Sequence, residues 1–491
     1  MSDHSILVID EGTTSTRVML FDPHGESGAS EQKDIHQSYP APGMVEHDAE
    51  EIWESSLACA RAVVEKSGGA DRLRGLGITN QRETIVFWNA RTGKALGPAI
   101  VWQDRRTAGL CRSMQERGHE DMVSRSTGLL LDPYFSASKI AWALENWPQL
   151  REAGRDLKVG TIESWLVWKL TGGLHVTDAT NASRTALMNI ERGEWDENLL
   201  DLWDIDRSIL PEIVDCAGKI GETESEMFGR PIAITGMAGD QQAASIGQAC
   251  FGPGDTKATY GTGAFILTNT GQTVQRSQHR LLSTVAWQLD GNRQYALEGS
   301  VFVAGSLVQW LRDHLGLIRT AEETEVLARS VEDHGGVYLV PALSGLGAPY
   351  WQPDARALIT GLSFSANKAH IARAALEAMS YQTHDLMRAF AADGAVWQGL
   401  RIDGGMVAND WMAQDLADML DLTVERPGLV ETTALGAAML TALGAGIFKT
   451  LDEAECMRSQ VVRFEPKLES AARNERLVGW RKAVACALDG F

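Results

Sequence analysis

The sequence predicts an α/β protein built of two related halves. Short apolar runs alternate with longer amphipathic segments along the chain, which reads as strands interleaved with helices and so as mixed sheets covered by helices. A strand, a Gly/Thr turn and a second strand occur in that order twice, once near the start and once just past the midpoint. The length of 491 residues suits two domains of large but ordinary size.

In the first repeat, Ile6-Leu7-Val8-Ile9-Asp10 is an apolar run, Gly12-Thr13-Thr14 turns, and Val18-Met19-Leu20-Phe21 runs on. In the second, Lys257-Ala258-Thr259-Tyr260 precedes Gly261-Thr262-Gly263, and Phe265-Ile266-Leu267-Thr268 follows. Each is a hairpin signal. Gly252-Pro253-Gly254 marks the expected boundary, giving halves 1–251 and 252–491. Between the hairpins, Val159-Gly160-Thr161 leads into a helix over 162–169, and Ile232–Ile234 is a short strand before a helix from about Gln241. Later helices are expected near 305–315, 370–390, 409–420 and 433–443. In the last, Gly436 would permit close packing and Gly444 would stop the helix.

Composition narrows the function classes. With 44% apolar and 22% charged residues the chain has no signature of disorder. A net charge of −20 argues against nucleic-acid or anionic-membrane partners, since both need attraction to phosphate. Cys59, Cys111, Cys216, Cys250, Cys456 and Cys486 are scattered without a C-x-x-C, which fits reduced thiols in a cytosol. Met1–Ser5 is mostly polar and runs straight into the first strand, so no signal peptide is expected. No apolar run approaches the ~18 residues needed to span a bilayer. A cytoplasmic protein without integral membrane association is the expectation.

Three glycine turns carry candidate phosphate chemistry. Asp10-Glu11-Gly12-Thr13-Thr14-Ser15-Thr16-Arg17 exposes backbone N–H groups beside hydroxyls and a guanidinium, a concave donor array suited to terminal phosphates. Asp10, at the strand end, could hold magnesium through water. A lone Gly-Thr turn is more often a plain polar hairpin, but Tyr260-Gly261-Thr262-Gly263 supplies a second loop that could grip one polyphosphate from the other side. Arg401-Ile402-Asp403-Gly404-Gly405-Met406-Val407-Ala408-Asn409 ends a strand in paired glycines, against which a flat adenine or ribose could lie. An ordinary strand-to-helix turn is the alternative there. No G-x-x-x-x-G-K-[ST] occurs, which excludes a P-loop enzyme.

Thr79-Asn80-Gln81-Arg82-Glu83-Thr84 follows a strand-like run. Its adjacent Arg and Glu offer a forked donor beside a forked acceptor, a pair that can hold vicinal hydroxyls. A surface ion pair is the commoner fate of such a dipeptide. Gly239-Asp240-Gln241-Gln242 sets a carboxylate at a helix entry, as a general base or as a cap.

Taken in order, DEGTTSTR, GITNQRET, AIVWQDRRT, TGLLLDPYFS, HVTDATNASRT, GMAGDQQAA, TYGTGAF, LVPALSGLGAPYW, RIDGGMVAN and ETTALGAA resemble the motifs of the FGGY carbohydrate kinases, from about Ile6 to Trp480. The resemblance implies two ribonuclease H-like, actin-like ATPase domains with the active site in the cleft between them. The half 1–251 would carry the acceptor site, the first phosphate loop and the catalytic base, and 252–491 the second phosphate loop and the adenine and ribose site. It implies ATP and Mg²⁺ as cofactors, glycerol as acceptor and a homo-oligomer, a dimer or tetramer. Another small polyol or a ketose is the alternative acceptor. Arg82, Glu83, Tyr134, Asp240 and Gln241 would bind the acceptor hydroxyls, with Trp102 and Phe265 against its carbon edge. Thr13, Thr14, Ser15 and Arg17 would meet the phosphates, and Thr262, Gly305, Gln309, Gly405 and Asn409 would complete the nucleotide site. Asp240 would be the base, and Asp10 with Asp240 would hold the metal.

Two departures from the family pattern stand out. Many members carry Gln where this chain has Glu11, a carboxylate that would weaken nucleotide binding unless it points away or pairs with Arg17. Some bacterial members are inhibited by fructose 1,6-bisphosphate at a glycine-rich loop, or activated by phosphorylation of a His, in the region that here reads 221–231. That stretch has no His, lacks the glycine run and adds Glu222, Glu224 and Glu226, so neither control is expected.

Overall fold

A computed structural model describes residues 5–352, 354–428 and 431–488. The polar start Met1–His4 lies outside the described residues.

The first sheet uses β1 (Ile6–Glu11), β2 (Ser15–Phe21), β3 (Ser27–Asp34), β4 (Gly75–Asn80), β5 (Ala217–Glu222) and β6 (Ala233–Gly239), in the order β5-β6-β4-β1-β2-β3. β1 and β2 form the expected antiparallel hairpin, while β1 pairs parallel with β4 and β4 with β6. Ile6, Leu7, Val8 and Ile9 are all buried, because β1 is central and covered on both faces, which is why it reads as an unbroken apolar run.

The second sheet uses β7 (Thr256–Tyr260), β8 (Ala264–Gly271), β9 (Leu282–Leu289), β10 (Asn292–Val301), β11 (Leu400–Asp403), β12 (Val424–Pro427) and β13 (Val461–Phe464), in the order β9-β10-β8-β7-β11-β12-β13. Here too an antiparallel hairpin, β7–β8, is followed by parallel pairs β7–β11 and β11–β12. The run β3-β2-β1-β4-β6 and the run β10-β8-β7-β11-β12 therefore share one pattern, three antiparallel strands and then two parallel ones. The molecule is internally duplicated.

The helices that matter for the site are α1 (Ala49–Lys66), α2 (Ile162–Thr171), α3 (Ala179–Ala182), α4 (Asp240–Gly247), α5 (Gly305–Asp313), α6 (Lys368–Ala392), α7 (Asp410–Leu420) and α8 (Thr432–Gly444). Helices α2 and α4 to α8 match the expected helices within a few residues, while α1 and α3 were not expected. The strand expected at Ile232–Ile234 is longer and runs to Gly239, directly into α4.

Glycines join the halves. A Cβ on Gly436 of α8 would lie 1.7 Å from the Ala243 carbonyl oxygen of α4, and one on Gly247 would lie 2.0 Å from that of Thr432. A Cβ on Gly77 of β4 would strike the Thr441 hydroxyl at 2.0 Å. Helix α8, from the second half of the chain, thus lies directly on the first sheet. Gly444 does not stop this helix as expected. It is the last residue inside it, with Ala445 as the cap, and its missing Cβ admits the Thr235 carbonyl, 2.0 Å from where that Cβ would be. Packing, not capping, selects that glycine. An apolar cluster of Ile6, Val8, Leu267, Ala286, Leu435 and Met439 seals the junction.

No helix among the described residues is long and apolar enough to cross a membrane. The six cysteines are free.

Candidate active site

The turn between β1 and β2 is closed by Gly12 N–H donating to the Ser15 carbonyl at 3.0 Å. Thr14 is exposed at its tip, and Thr13 and Ser15 are partly exposed. The Thr13 hydroxyl accepts the Trp102 indole N–H at 2.9 Å, tying the turn to the acceptor side. Arg17 donates to the Gln32 amide oxygen at 3.0 and 2.7 Å and pairs with Glu431 from the second half. Glu11 does not join it. Its carboxyl is buried, accepting from the Thr16 and Ser56 hydroxyls, and burial holds it well above the usual carboxylate range. The Glu11 carboxyl therefore points away from Arg17, to the Thr16 and Ser56 hydroxyls.

Asp10, at the end of β1, is pushed up to about 7 by burial first, then by the charges of Asp240 and Glu431, with Arg17 pulling against them. Carboxylates converging on Asp10 and raising it fit a divalent cation, which would relieve the repulsion. Among the described residues no group of three His, Cys, Asp or Glu is arranged to hold a metal. Magnesium here would take its remaining ligands from phosphate and water, as that ion commonly does.

Arg82 and Glu83 follow β4 in a tight turn in which Glu83 adopts a φ of 62°, a left-handed conformation rare for a side-chain-bearing residue. Both are buried. Arg82 Nη1 donates to Glu298 Oε2 at 2.6 Å and Nη2 to Glu298 Oε1 at 3.2 Å; Nη2 also lies 3.4 Å from the Tyr134 hydroxyl, and Nε 3.4 Å from Asp240 Oδ1. Glu83 Oε1 accepts from Arg184 Nε at 2.6 Å, and Arg184 Nη2 donates to Glu298 Oε1 at 3.0 Å.

Asp240 opens α4, as its motif suggested. Its Oδ1 accepts the Gln241 backbone N–H at 2.7 Å, yet its side chain keeps 30% of its surface exposed to the cleft. Burial raises this carboxyl, and Arg82 and Lys257 hold it back. Gln241 Oε1 accepts from Lys257 Nζ at 2.5 Å. Beside these groups the rings of Trp102 and Tyr134 meet edge to face at 5.7 Å, and those of Trp102 and Phe265 at 6.3 Å. Lys139 donates to the Tyr134 carbonyl at 2.6 Å and fixes that loop from below.

Across the cleft a cavity of about 300 Å³ is lined by Thr262, Gly305, Gln309, Gly405 and Asn409, together with Tyr260, Met406, Thr324 and others. All five residues expected to complete the nucleotide site line this one space. Gly305 N–H donates to the Gly261 carbonyl at 2.8 Å, fastening α5 to the second turn. Gly404 needs its φ of 93°, and a Cβ on Gly405 would meet nothing within 4 Å, so that backbone faces open space. Asn409 caps α7 through the Met412 N–H at 2.9 Å.

Four residues at the site were not singled out by sequence: Arg184, Lys257, Glu298 and Glu431. Arg184 and Glu431 stand inside quoted motifs, HVTDATNASRT and ETTALGAA. Glu298 did leave a signal, the single charged residue in the end of β10, Tyr295–Val301.

Two duplicated α/β lobes closing on carboxylates and glycine turns define the class, a phosphoryl-transfer enzyme of the actin-like ATPase fold. Residues 5–247 match the N-terminal domain of the FGGY family of carbohydrate kinases, and residues 256–445 match its C-terminal domain. The chain belongs to that family. It is 53% identical over 492 residues to glycerol kinase of Methylobacterium nodulans, covering 98% of each chain. To glycerol kinase of Gluconobacter oxydans it is 54% identical over 484 residues, covering 98% of this chain and 94% of that one. The crystal structure of Plasmodium falciparum glycerol kinase with ADP superposes with a TM-score of 0.94 at 36% identity, over 99% of this chain and 98% of that one. Gluconate kinase of Lactobacillus acidophilus, at 22% identity and a TM-score of 0.88 over 98% of each chain, shares the fold.

Proposed function

We propose that this carbohydrate kinase transfers the γ-phosphoryl group of ATP to a primary hydroxyl of glycerol, giving sn-glycerol 3-phosphate. One observation carries the choice of acceptor: Trp102, Tyr134 and Phe265 crowd their rings together beside Arg82 and Asp240. Three bulky rings so placed argue for a small acceptor. The similar proteins named glycerol kinase support the same reading.

Arg82, Glu83, Tyr134, Asp240 and Gln241 orient the acceptor hydroxyls, and Trp102 and Phe265 pack on its carbons. The Thr13–Arg17 turn and Thr262 hold the phosphates, while Gly305, Gln309, Gly405 and Asn409 hold the base and ribose. Asp240 accepts the hydroxyl proton as the acceptor oxygen bonds to γ-phosphorus and the bridge to ADP breaks. The transition state for such transfer is loose, so positioning and charge neutralisation do most of the work. Asp10 and Asp240 would hold magnesium, which when bound would neutralise the phosphate charge. Closure of the halves excludes water as a competing acceptor. The functional halves are 1–251 and 252–491, the protein acts in the cytoplasm, and it works as a homo-oligomer. Release of ADP by the purified protein in a coupled assay tests the reading: release should depend on added glycerol, and acceptor-independent release at the same rate would refute it.

A further inference from the structure

We infer that Glu298, supplied by the second half of the chain, is a positioning residue of the acceptor site. It sets the guanidinium of Arg82 and, through Arg184, the carboxylate of Glu83. This rests on the reading of Arg82 and Glu83 as acceptor ligands and names what holds them.

The geometry is that of a closed buried ring. Glu298 takes both Nη atoms of Arg82, at 2.6 and 3.2 Å, and Arg184 Nη2 at 3.0 Å. Arg184 Nε then reaches Glu83 Oε1 at 2.6 Å, and Glu83 Oε1 returns to Arg82 Nε at 3.9 Å. Relative exposure is 3% for Arg82, 1% for Glu83 and Glu298, and 0% for Arg184. Two guanidiniums and two carboxylates balance in charge, as buried ions must. Burial would raise the Glu298 carboxyl, but Arg184 and Arg82 outweigh it and bring it down to about 2.

Commitment of the Arg82 fork to Glu298 decides which edge of Arg82 faces the cleft. Nε is left beside Asp240 at 3.4 Å, and the second Nη2 proton is left toward the Tyr134 hydroxyl at 3.4 Å. Those are the two directions from which an acceptor hydroxyl meets both the base and the aromatic edge. The Arg184 guanidinium lies over the rings of Tyr134 and Phe135, at 5.6 and 5.3 Å from their centroids, and so bears on the same wall. Glu298 belongs to β10 and Arg82 to the turn after β4, so the acceptor site is correctly shaped only when the two sheets are in register. Glu298 thereby couples acceptor recognition to the placement of the halves, beside Lys257 and Phe265 of the same half.

The test compares Glu298→Gln, Glu298→Asp, Arg82→Lys and the Arg82→Lys/Glu298→Gln double variant, each checked for folding by circular dichroism. Glu298→Gln should raise the acceptor KM at least about tenfold and leave the nucleotide KM within about twofold. Glu298→Asp, which keeps the charge, should recover part of the loss. If Glu298 acts in one network with Arg82, the loss in the double variant should be clearly less than the sum of the two single losses, since residues in one network do not add. An unchanged acceptor KM in folded Glu298→Gln, an equal rise in both KM values, or strict additivity would overturn the inference. Should Glu298→Gln fail to fold, Glu298→Asp decides: a rise confined to the acceptor supports the inference and an equal rise in both refutes it. The wild-type acceptor is established first, so a preferred acceptor other than glycerol would correct the reading of the substrate. The ratio of variant to wild type on that acceptor would still test Glu298.

Discussion

Asp240 is fixed by its own helix yet open to the cleft, the combination a general base requires. Asp240→Asn keeps the shape and loses the proton acceptor, so phosphoryl transfer should fall by roughly 10²–10⁴ while acceptor and nucleotide affinities change little. Single-turnover rates beside equilibrium titrations check this, and near-normal turnover would remove Asp240 from the role. Arg82→Lys replaces a planar fork by a point charge, so an ammonium cannot serve Glu298, Tyr134 and Asp240 together. Charged hydrogen bonds are worth about 1.5–3 kcal/mol, so the acceptor dissociation constant should rise ten- to a hundredfold, roughly, by calorimetric titration. At this scale the sequence was legible where chemistry is local: the Gly-Thr turns, the Arg-Glu pair and the Gly-Asp-Gln entry each announce their donors and acceptors within a few residues. Arg184, Glu298 and Lys257 were not, because each matters through a partner 16 to 216 residues away. Nothing beside them in the chain shows that partner.

Strands and helices were legible for a related reason. An apolar run such as Ile6–Ile9 is buried on both faces and reads so, and the helix expected over 162–169 is α2, extended to Thr171. The purpose of the α8 glycines was only half legible, since Gly436 and Gly444 both answer to atoms of the first half that the sequence of α8 cannot show. Just after α2, His175 packs edge-on against Trp88 and Trp168, and burial lowers its imidazole to about 4. The folded state prefers neutral His175, so its contribution to stability is complete above about pH 6.5 and is lost as pH falls toward 4. His175→Gln should flatten that limb: the drop in Tm between pH 7 and 4.5 should be smaller in the variant than in the wild type. Equal drops in differential scanning calorimetry would show that His175 is not buried neutral.

At the scale of the whole molecule, the two hairpins disclosed the duplication, and the structure repeats the strand pattern around each of them. The chain alone did not show how closely the halves interlock, through α8 on the first sheet and Glu298 and Glu431 at the cleft. Far from the cleft, Arg230 pairs with Asp71, and Arg61 caps the carbonyls of Glu226 and Met227. With its guanidinium engaged and Glu222, Glu224 and Glu226 beside it, this surface should repel a bisphosphate. Fructose 1,6-bisphosphate titrated to concentrations near those of the nucleotide should therefore inhibit little, and saturable inhibition lost in Arg230→Ala would contradict that. The central claim is that the cleft phosphorylates a three-carbon polyol, and competition between acceptors tests it most directly. With ATP and Mg²⁺ fixed, kcat/KM should be measured for glycerol, erythritol, xylulose and ribulose. Glycerol should lead by at least about tenfold, because the bulky Trp102, Tyr134 and Phe265 rings argue for a small acceptor; a higher value for either ketose would contradict the account.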